Sequence, residues 1–253
     1  MDTLGATLGP LAALLMLRMM PEAAPDYRFI FMAAFVPALL GVLVLVFLVR
    51  EASPVDPSGK NGPAAERAPM SSDFRTFVVL YAVFAIGNSN DAFLILKAKQ
   101  SGFSTTHVIL AYTAYNLVYA LTAAPAGWLS DKLGKIRTMS FGFLIFASVY
   151  MGFAYAEKGW IIWGLFALYG FYGAFKEGIA KAVVSHLSGA GNRAAGMGYF
   201  QGTMGFLTFF ASFMAGLLWD KVSPAAPFIA GAACAALSML GLLVWTGRRR
   251  LSF

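Results

Sequence analysis

The sequence predicts an all-α, polytopic membrane protein with about eight transmembrane helices. The chain of 253 residues is 59% hydrophobic and only 12% charged, which is about half the charged fraction of an average soluble domain. Its apolar residues form runs of about 20, the length of helix that crosses a bilayer. Its 26 glycines fall largely within these runs, as is typical of closely packed membrane helices.

The runs predict spans in chain order, separated by polar segments or by segments rich in Gly and Pro. They are 3–20, 28–49, 74–96, 107–129, 138–156, 160–186, 194–218 and 225–246. The first run resembles a signal peptide, but it lacks a basic start and an A-x-A cleavage site. We therefore expect a transmembrane helix there, entered partway through a longer gene.

The longest separator divides the chain into three parts. Residues 51–73 contain four prolines, two glycines and mixed charge, a composition typical of a flexible, exposed linker. We expect two transmembrane helices in 1–50 and a six-helix unit in 74–253.

Basic residues predict the orientation, because cytoplasmic loops collect Lys and Arg. When the gaps are numbered alternately, eleven Lys and Arg fall on one side and six on the other. This places the linker, residues 127–138 and the C-terminus in the cytoplasm of a multi-pass protein, which we expect in a bacterial inner (plasma) membrane. The net charge of +7 is explained by these loops, so no nucleic-acid partner is expected.

The sequence contains no pattern typical of an enzyme or a metal site. The single Cys234 excludes a disulfide within the chain, and His107 and His186 lack neighbours at metal-ligand spacing. No H-E-x-x-H motif, intramembrane aspartate pair or Ser/Lys dyad is present. We therefore expect no catalytic residue, metal or cofactor.

Two sequence patterns that each occur twice, called echoes below, indicate a repeat within the six-helix unit. GWLSDK at 127–132 recurs as GLLWDK at 216–221, 89 residues later. A glycine four residues before an acid occurs at 87–91 and again at 173–177, 86 residues later. Each echo joins spans predicted to run in opposite directions. The pattern predicts a 3+3 inverted-repeat bundle, the plan of many secondary transporters.

The third predicted span contains a polar cluster that is costly in a membrane. Asn88 and Asp91 are three residues apart and are expected on one helix face, with Asn90 beside them. Two interpretations remain open, a substrate cavity and a structural hydrogen-bond cluster between helices. Asp91 is also a candidate to carry a coupling proton.

The sixth predicted span contains Lys176, Glu177 and Lys181. Glu177 and Lys181 are four residues apart and can pair on one face. The alternative is that Glu177 takes up and releases a proton as this pair opens and closes, since burial and a nearby ammonium group act on its pKa in opposite directions.

The segment from Gly127 to Arg137, GWLSDKLGKIR, resembles the G-x-L-[SA]-D-[RK]-x-G-[RK]-[RK] signature of the major facilitator superfamily. In that family the signature joins the second and third helices of each six-helix half, as it does in 74–253. Ile136 departs from the pattern, because a basic residue is usual there. The resemblance implies a secondary transporter that works by alternating access, with a cytoplasmic gate formed by Gly127, Asp131, Lys132, Gly134, Lys135 and Arg137.

A second resemblance lies at the start of the chain. Gly5, Gly9 and Pro10 match the G-x-x-x-G-P motif of the fifth helix of proton-driven exporters in the same superfamily. This match implies that the first span is helix five and that the first four helices of the family fold are missing. We expect a truncated form; the alternatives are a fragment that needs a partner half and a reduced transporter.

The predicted function is proton-coupled efflux of a small molecule, with the lipid bilayer, the substrate, protons and a missing N-terminal half as partners. The alternatives are a sugar or organic-anion importer of the same superfamily and a fragment that does not transport alone. A membrane enzyme is a further alternative that no motif supports.

Overall fold

The computed structural model describes residues 2–20, 27–48, 70–189 and 191–249, and they are almost entirely α-helical. Six of the described helical segments are long and apolar enough to cross a membrane, which confirms the all-α polytopic fold. The helices are α1 Asp2–Arg18, α2 Tyr27–Leu48, α3 Ser72–Gly87, α4 Ala92–Gln100, α5 Thr105–Leu133, α6 Lys135–Tyr155, α7 Gly159–Leu187, α8 Arg193–Lys221 and α9 Ala226–Arg249.

The third predicted span is broken, so the expectation of one continuous helix over 74–96 is wrong. The helix α3 ends at Gly87, and α4 begins at Ala92. Polar groups satisfy the backbone at the break: Asn90 Oδ1 accepts from Ala92 N at 2.9 Å, and Asn90 N donates to Ser212 Oγ at 3.1 Å. These bonds replace intrahelical ones, so Asn88 and Asp91 do not share a helix face.

The core of the six-helix unit is aromatic. Phe84 of α3 stacks on Phe143 of α6 with 4.2 Å between ring centroids, and Phe146 stacks on Tyr150 at 3.9 Å. All four rings are almost fully buried. Such rings bury large areas and pack in defined geometries, which holds α3, α6, α7 and α9 together.

The helix bounds repeat along the chain. The helices α5 and α8 both have 29 residues, and their first residues, Thr105 and Arg193, are 88 apart. The segment of α3 and α4 also has 29 residues, like α7. The packing partners correspond in the same way. The helix α3 packs on α8 and α9, and its counterpart α7 packs on α5 and α6. This pairing agrees with the inverted repeat.

The closest contacts between helices also correspond between the two halves of the repeat. A Cβ on Gly231 of α9 would lie 2.6 Å from the carbonyl oxygen of Gly87 in α3. A Cβ on Gly142 of α6 would lie 2.8 Å from Cβ of Phe175 in α7. Gly142 and Gly231 are 89 residues apart and Gly87 and Phe175 are 88 apart, so equivalent helix pairs touch at equivalent glycines.

Contacts at the two ends of the bundle show that the helices alternate in direction. At one end, Ser71 before α3 donates to the carbonyl oxygen of Leu187 at the end of α7, at 3.1 Å. At the other end, Phe103 before α5 contacts Trp163 near the start of α7, with 5.9 Å between ring centroids. The first contact makes α7 antiparallel to α3, and the second makes α7 parallel to α5, as the alternating directions of an up-and-down bundle require.

The helices before the predicted linker differ in their contacts. The helix α1 packs on α5 and buries Leu14. The helix α2 has no buried residue and is apolar all round, as suits contact with lipid. The predicted linker lies outside the described residues up to position 69.

Candidate functional site

An open cleft with a cavity volume of about 100 Å³ lies between α3, α7 and α8. One wall carries charges from α7, and another carries aromatic rings from α3 and α8. The residues that line it are Tyr81, Phe84, Ala85, Asn88, Lys176, Glu177, Ala180, Lys181, Phe200, Gln201, Met204 and Thr208. Four residues singled out from the sequence therefore meet here: Asn88, Lys176, Glu177 and Lys181.

Glu177 lies between two ammonium groups. Its Oε2 is 3.4 Å from Lys181 Nζ, which is the predicted pair four residues apart, and its Oε1 is 3.8 Å from Lys176 Nζ. The side chain of Glu177 is 45% exposed and that of Lys176 only 21%. The cluster has a net charge of +1 if all three groups are ionised. A partly buried cation of this kind interacts more strongly than a solvated one.

Aromatic rings surround the ammonium group of Lys176. Its Nζ lies 5.5 Å from the ring centroid of Tyr172 and 6.0 Å from that of Phe84, within the range of cation–π attraction. Tyr169, Tyr172 and Lys176 are spaced three and four residues apart, so they lie on one face of α7. Neither tyrosine was predicted from the sequence, although their spacing before Lys176 was a usable signal.

Asp91 occupies different surroundings from Asn88. Its Oδ1 accepts a hydrogen bond of 2.8 Å from the hydroxyl of Tyr169, whose ring lies 5.1 Å from that of Tyr115. Among the described residues, no cation lies within 4 Å of this carboxylate, although Lys176 attracts it from farther away. The structure therefore separates Asp91 from the cleft lining and places it in a cluster of tyrosines. The third residue of the polar cluster, Asn90, is exposed and accepts a hydrogen bond from the first backbone N–H of α4.

The predicted gating motif lies at the junction of α5 and α6. Gly134 has φ +90° and ψ 140°, a conformation that favours glycine, and it joins the two helices with one residue. Asp131, Lys132 and Arg137 are exposed, and Lys132 Nζ lies 3.8 Å above the ring of Trp128. Lys135 is the first residue of α6.

In the described residues, no atom lies within 4 Å of the position that the Cβ of Gly127 would occupy. The same holds for Gly5 and Gly9 of α1, where Pro10 lies inside the helix. Each of these three glycines therefore has open space where a Cβ would lie.

Within the described ranges, no three His, Cys, Asp or Glu side chains are grouped so that they could hold a metal ion. His107 instead contacts Ser104 at the start of α5, with 2.9 Å between Nδ1 and Oγ. The site therefore consists of a charged cleft and a neighbouring carboxylate held by a tyrosine.

Comparison with known proteins identifies the family. Residues 77–252 match the Major Facilitator Superfamily. The chain is also 33% identical, over 96% of its own length, to a protein described as an uncharacterized MFS-type transporter of Methanocaldococcus jannaschii. It spans 61% of the length of that relative. The match over most of the chain, together with the helical bundle, shows that this protein belongs to the major facilitator superfamily.

Proposed function

We propose that the protein acts in secondary active transport, moving a small molecule across the membrane by alternating access in exchange for protons. The observation that carries this proposal is the cleft between α3, α7 and α8, where α7, which the sequence predicts to span the membrane, carries three ionisable side chains. Charged groups inside a membrane protein are costly and usually mark a substrate or ion pathway. In this proposal Asn88, Lys176 and Lys181 contact the substrate.

Asp91 is the residue that we assign to proton binding. Protonating Glu177 would remove the counter-charge of two lysines, whereas protonating Asp91 breaks no ion pair among the described residues. The hydroxyl of Tyr169 can stay hydrogen-bonded to the neutral acid. Asp91 also lies at the break between α3 and α4. A change in its charge can therefore be transmitted to α4, the second part of the same span.

The proposed direction is export, supported by the resemblance of Gly5, Gly9 and Pro10 to the motif of proton-driven exporters. We place the linker, the α5–α6 connection and the C-terminus in the cytoplasm, in agreement with the distribution of basic residues. Asp131 and Arg137, which are exposed, then form a cytoplasmic gate together with the half-buried Lys135, and this gate closes against the other half of the family fold.

The transport proposal is tested in everted membrane vesicles with an acidified lumen, whose pH gradient is followed by acridine-dye quenching. An exporter that exchanges substrate for protons relieves the quench when its substrate is added. Ethidium, 2-naphthoate and glucose serve as cationic, anionic and neutral probes. The chain is tested alone and preceded by a segment that supplies the first four helices of the family fold.

Relief of the quench by one probe is the expected result. Activity only in the extended form would identify this chain as a part that needs its partner helices. A gradient that no probe disturbs, in either form, contradicts proton-coupled export.

A further inference from the structure

We propose that the cleft between α3, α7 and α8 binds small organic anions that carry a carboxylate or sulfonate on a flat apolar body. The ammonium group of Lys176 is the partner of the anion. This inference names a substrate class for the proposed transport site and therefore rests on the proposed function.

The charge of the cleft favours an anion. Its lining contains two lysines and a single acid, and both lysines share that acid, Glu177, at 3.8 and 3.4 Å. Within the lining one positive charge therefore remains uncompensated, since Asp91, which attracts Lys176 from farther away, lies outside the lining. A cationic ligand would have to compete with two ammonium groups for one carboxylate, whereas an anion supplies the missing charge.

Lys176 is better suited than Lys181 to bind this anion. Its side chain is 21% exposed, against 51% for Lys181, so its ammonium group has lost more of its water. Its contact with Glu177, at 3.8 Å, is longer than a hydrogen bond. An ammonium group has three donors, and the rings of Phe84 and Tyr172 do not accept them as an oxyanion does.

The opposite walls suit a flat apolar body. Tyr81 of α3 and Phe200 of α8 pack edge to face with 5.1 Å between centroids, and Phe84 lies next to Tyr81 at 5.6 Å. Met204 continues this surface on α8, with a flexible side chain that adapts to varied shapes. An aromatic ring can lie against these side chains while its acid group reaches Lys176.

A sugar fits this cleft less well. Neutral polyols are bound by many hydrogen-bonding groups, but the uncharged polar side chains with amide or aliphatic hydroxyl groups in the lining are only Asn88, Gln201 and Thr208. The remaining walls are apolar, aromatic or charged. The cleft therefore matches an amphipathic anion better than a neutral polyol.

The test measures binding of radiolabelled 2-naphthoate to the 253-residue chain in lipid nanodiscs by equilibrium dialysis. The competitors are unlabelled 2-naphthoate, the neutral 2-naphthamide and the cationic 2-naphthylmethylamine, which have the same ring system. We expect saturable binding of 2-naphthoate and at least about tenfold weaker competition by the other two, since a charge-assisted contact is worth roughly 1.5–3 kcal/mol.

Variants locate the binding site. Lys176→Met should weaken binding of 2-naphthoate about tenfold or more, and Lys176→Arg should retain it within about threefold, because Arg keeps the charge. Lys158→Met is the matched control, since Lys158 is exposed before α7 and away from the cleft. Thr208→Asp should also weaken binding by adding a negative charge to the lining, so the test does not depend on one variant folding.

Equal competition by the amide, or unchanged binding by both Lys176→Met and Thr208→Asp, overturns the proposal. Binding of 2-naphthoate without vesicle transport would contradict the proposed function but leave the anion site standing. Transport of ethidium or glucose without binding of 2-naphthoate would contradict the anion site but leave the proposed function standing.

Discussion

Asp91 and Glu177 occupy related places in the two halves of the repeat, each four residues after a glycine, but their surroundings differ. Asp91 receives one hydrogen bond from the neutral Tyr169. Glu177 lies between two lysines. In a membrane interior the charged form of an acid needs a partner, so the two carboxylates are suited to different tasks.

Asp91→Asn should abolish the proton-linked transport proposed here while preserving the fold, because the amide oxygen can still accept from Tyr169. In everted vesicles we expect the variant to lose substrate-induced relief of dye quenching. It should retain exchange of labelled substrate between the two sides, which needs no net proton movement. Retained exchange separates a coupling role from a structural one.

Glu157→Gln provides the control for Asp91→Asn, since Glu157 is exposed between α6 and α7. It should behave like the parent protein in both assays. If Asp91→Asn still moves protons with substrate, Asp91 is not the coupling residue.

Gly231→Ala should destabilise the six-helix unit by about 1–3 kcal/mol, the usual cost of an overpacked contact. Its Cβ would lie 2.6 Å from the carbonyl oxygen of Gly87 and 2.7 Å from the ring of Tyr150, and neither can move without shifting a helix or the aromatic core. Unfolding in mixed micelles of increasing SDS content, followed by helical circular dichroism, measures the change.

Gly164→Ala is the matched substitution, since no atom lies within 4 Å of its Cβ position in α7. It should leave the midpoint unchanged or raise it slightly, because Ala favours helix over Gly. Similar midpoints for the two variants would mean that α3 and α9 do not approach as closely as described.

At the scale of the helices, the connection between α5 and α6 combines a glycine in a conformation that other residues rarely adopt with exposed charges. Gly134 is both the C-cap of α5 and the N-cap of α6, and its φ is +90°. Its carbonyl oxygen also accepts from the hydroxyl of Thr138 at 3.0 Å. A single residue therefore sets the angle between two spans and the position of the charges on either side.

Gly134→Ala should strain this connection by about 1–3 kcal/mol, the cost of holding a residue with a Cβ in a sparsely populated region. We expect a lower midpoint in SDS unfolding and greater proteolysis between α5 and α6. Gly198→Ala, at an exposed helical position with open space around it, is the comparison. A parent-like midpoint for Gly134→Ala would show that the connection readily adopts another conformation.

Asp131→Asn should lower vesicle transport severalfold with little change in folding, since Asp131 is exposed at the end of α5 and contributes charge to the proposed gate. Asp220→Asn is a control within the same molecule, because Asp220 occupies the matching place in the GLLWDK echo at the end of α8. It lies at the opposite end of the bundle and should transport normally. Equal transport by both variants contradicts the gate.

At the scale of the whole molecule, the alternating directions of the helices and the distribution of basic residues together predict which ends of the helices face the cytoplasm. Cys234 is the single cysteine, so Cys234→Ala provides a background for labelling. In this background, Arg137→Cys should react with an impermeant thiol reagent only from the cytoplasm, and Val222→Cys only from outside. Both positions are exposed. The reverse labelling would invert the proposed orientation.

The relation between sequence and structure differs along the bundle. The bounds of α5, α7 and α8 follow from apolar runs closed by polar or glycine-rich segments, and each was predicted to within a few residues. The Glu177–Lys181 pair was predictable too, because a spacing of four on a helix places two side chains together. The break after Gly87 was not, because the bonds to Asn90 that stabilise it depend partly on Ser212 of α8.

The sequence by itself determined the fold class, most helix bounds and the family signature, since local hydropathy and short motifs encode all three. Only the tertiary structure decided that Asn88 joins the lysines of α7 in one cleft while Asp91 turns to Tyr169. Residues far apart in the chain meet there through packing of rings and glycines between helices. Such contacts depend on the shapes of both surfaces, which no single segment of sequence contains.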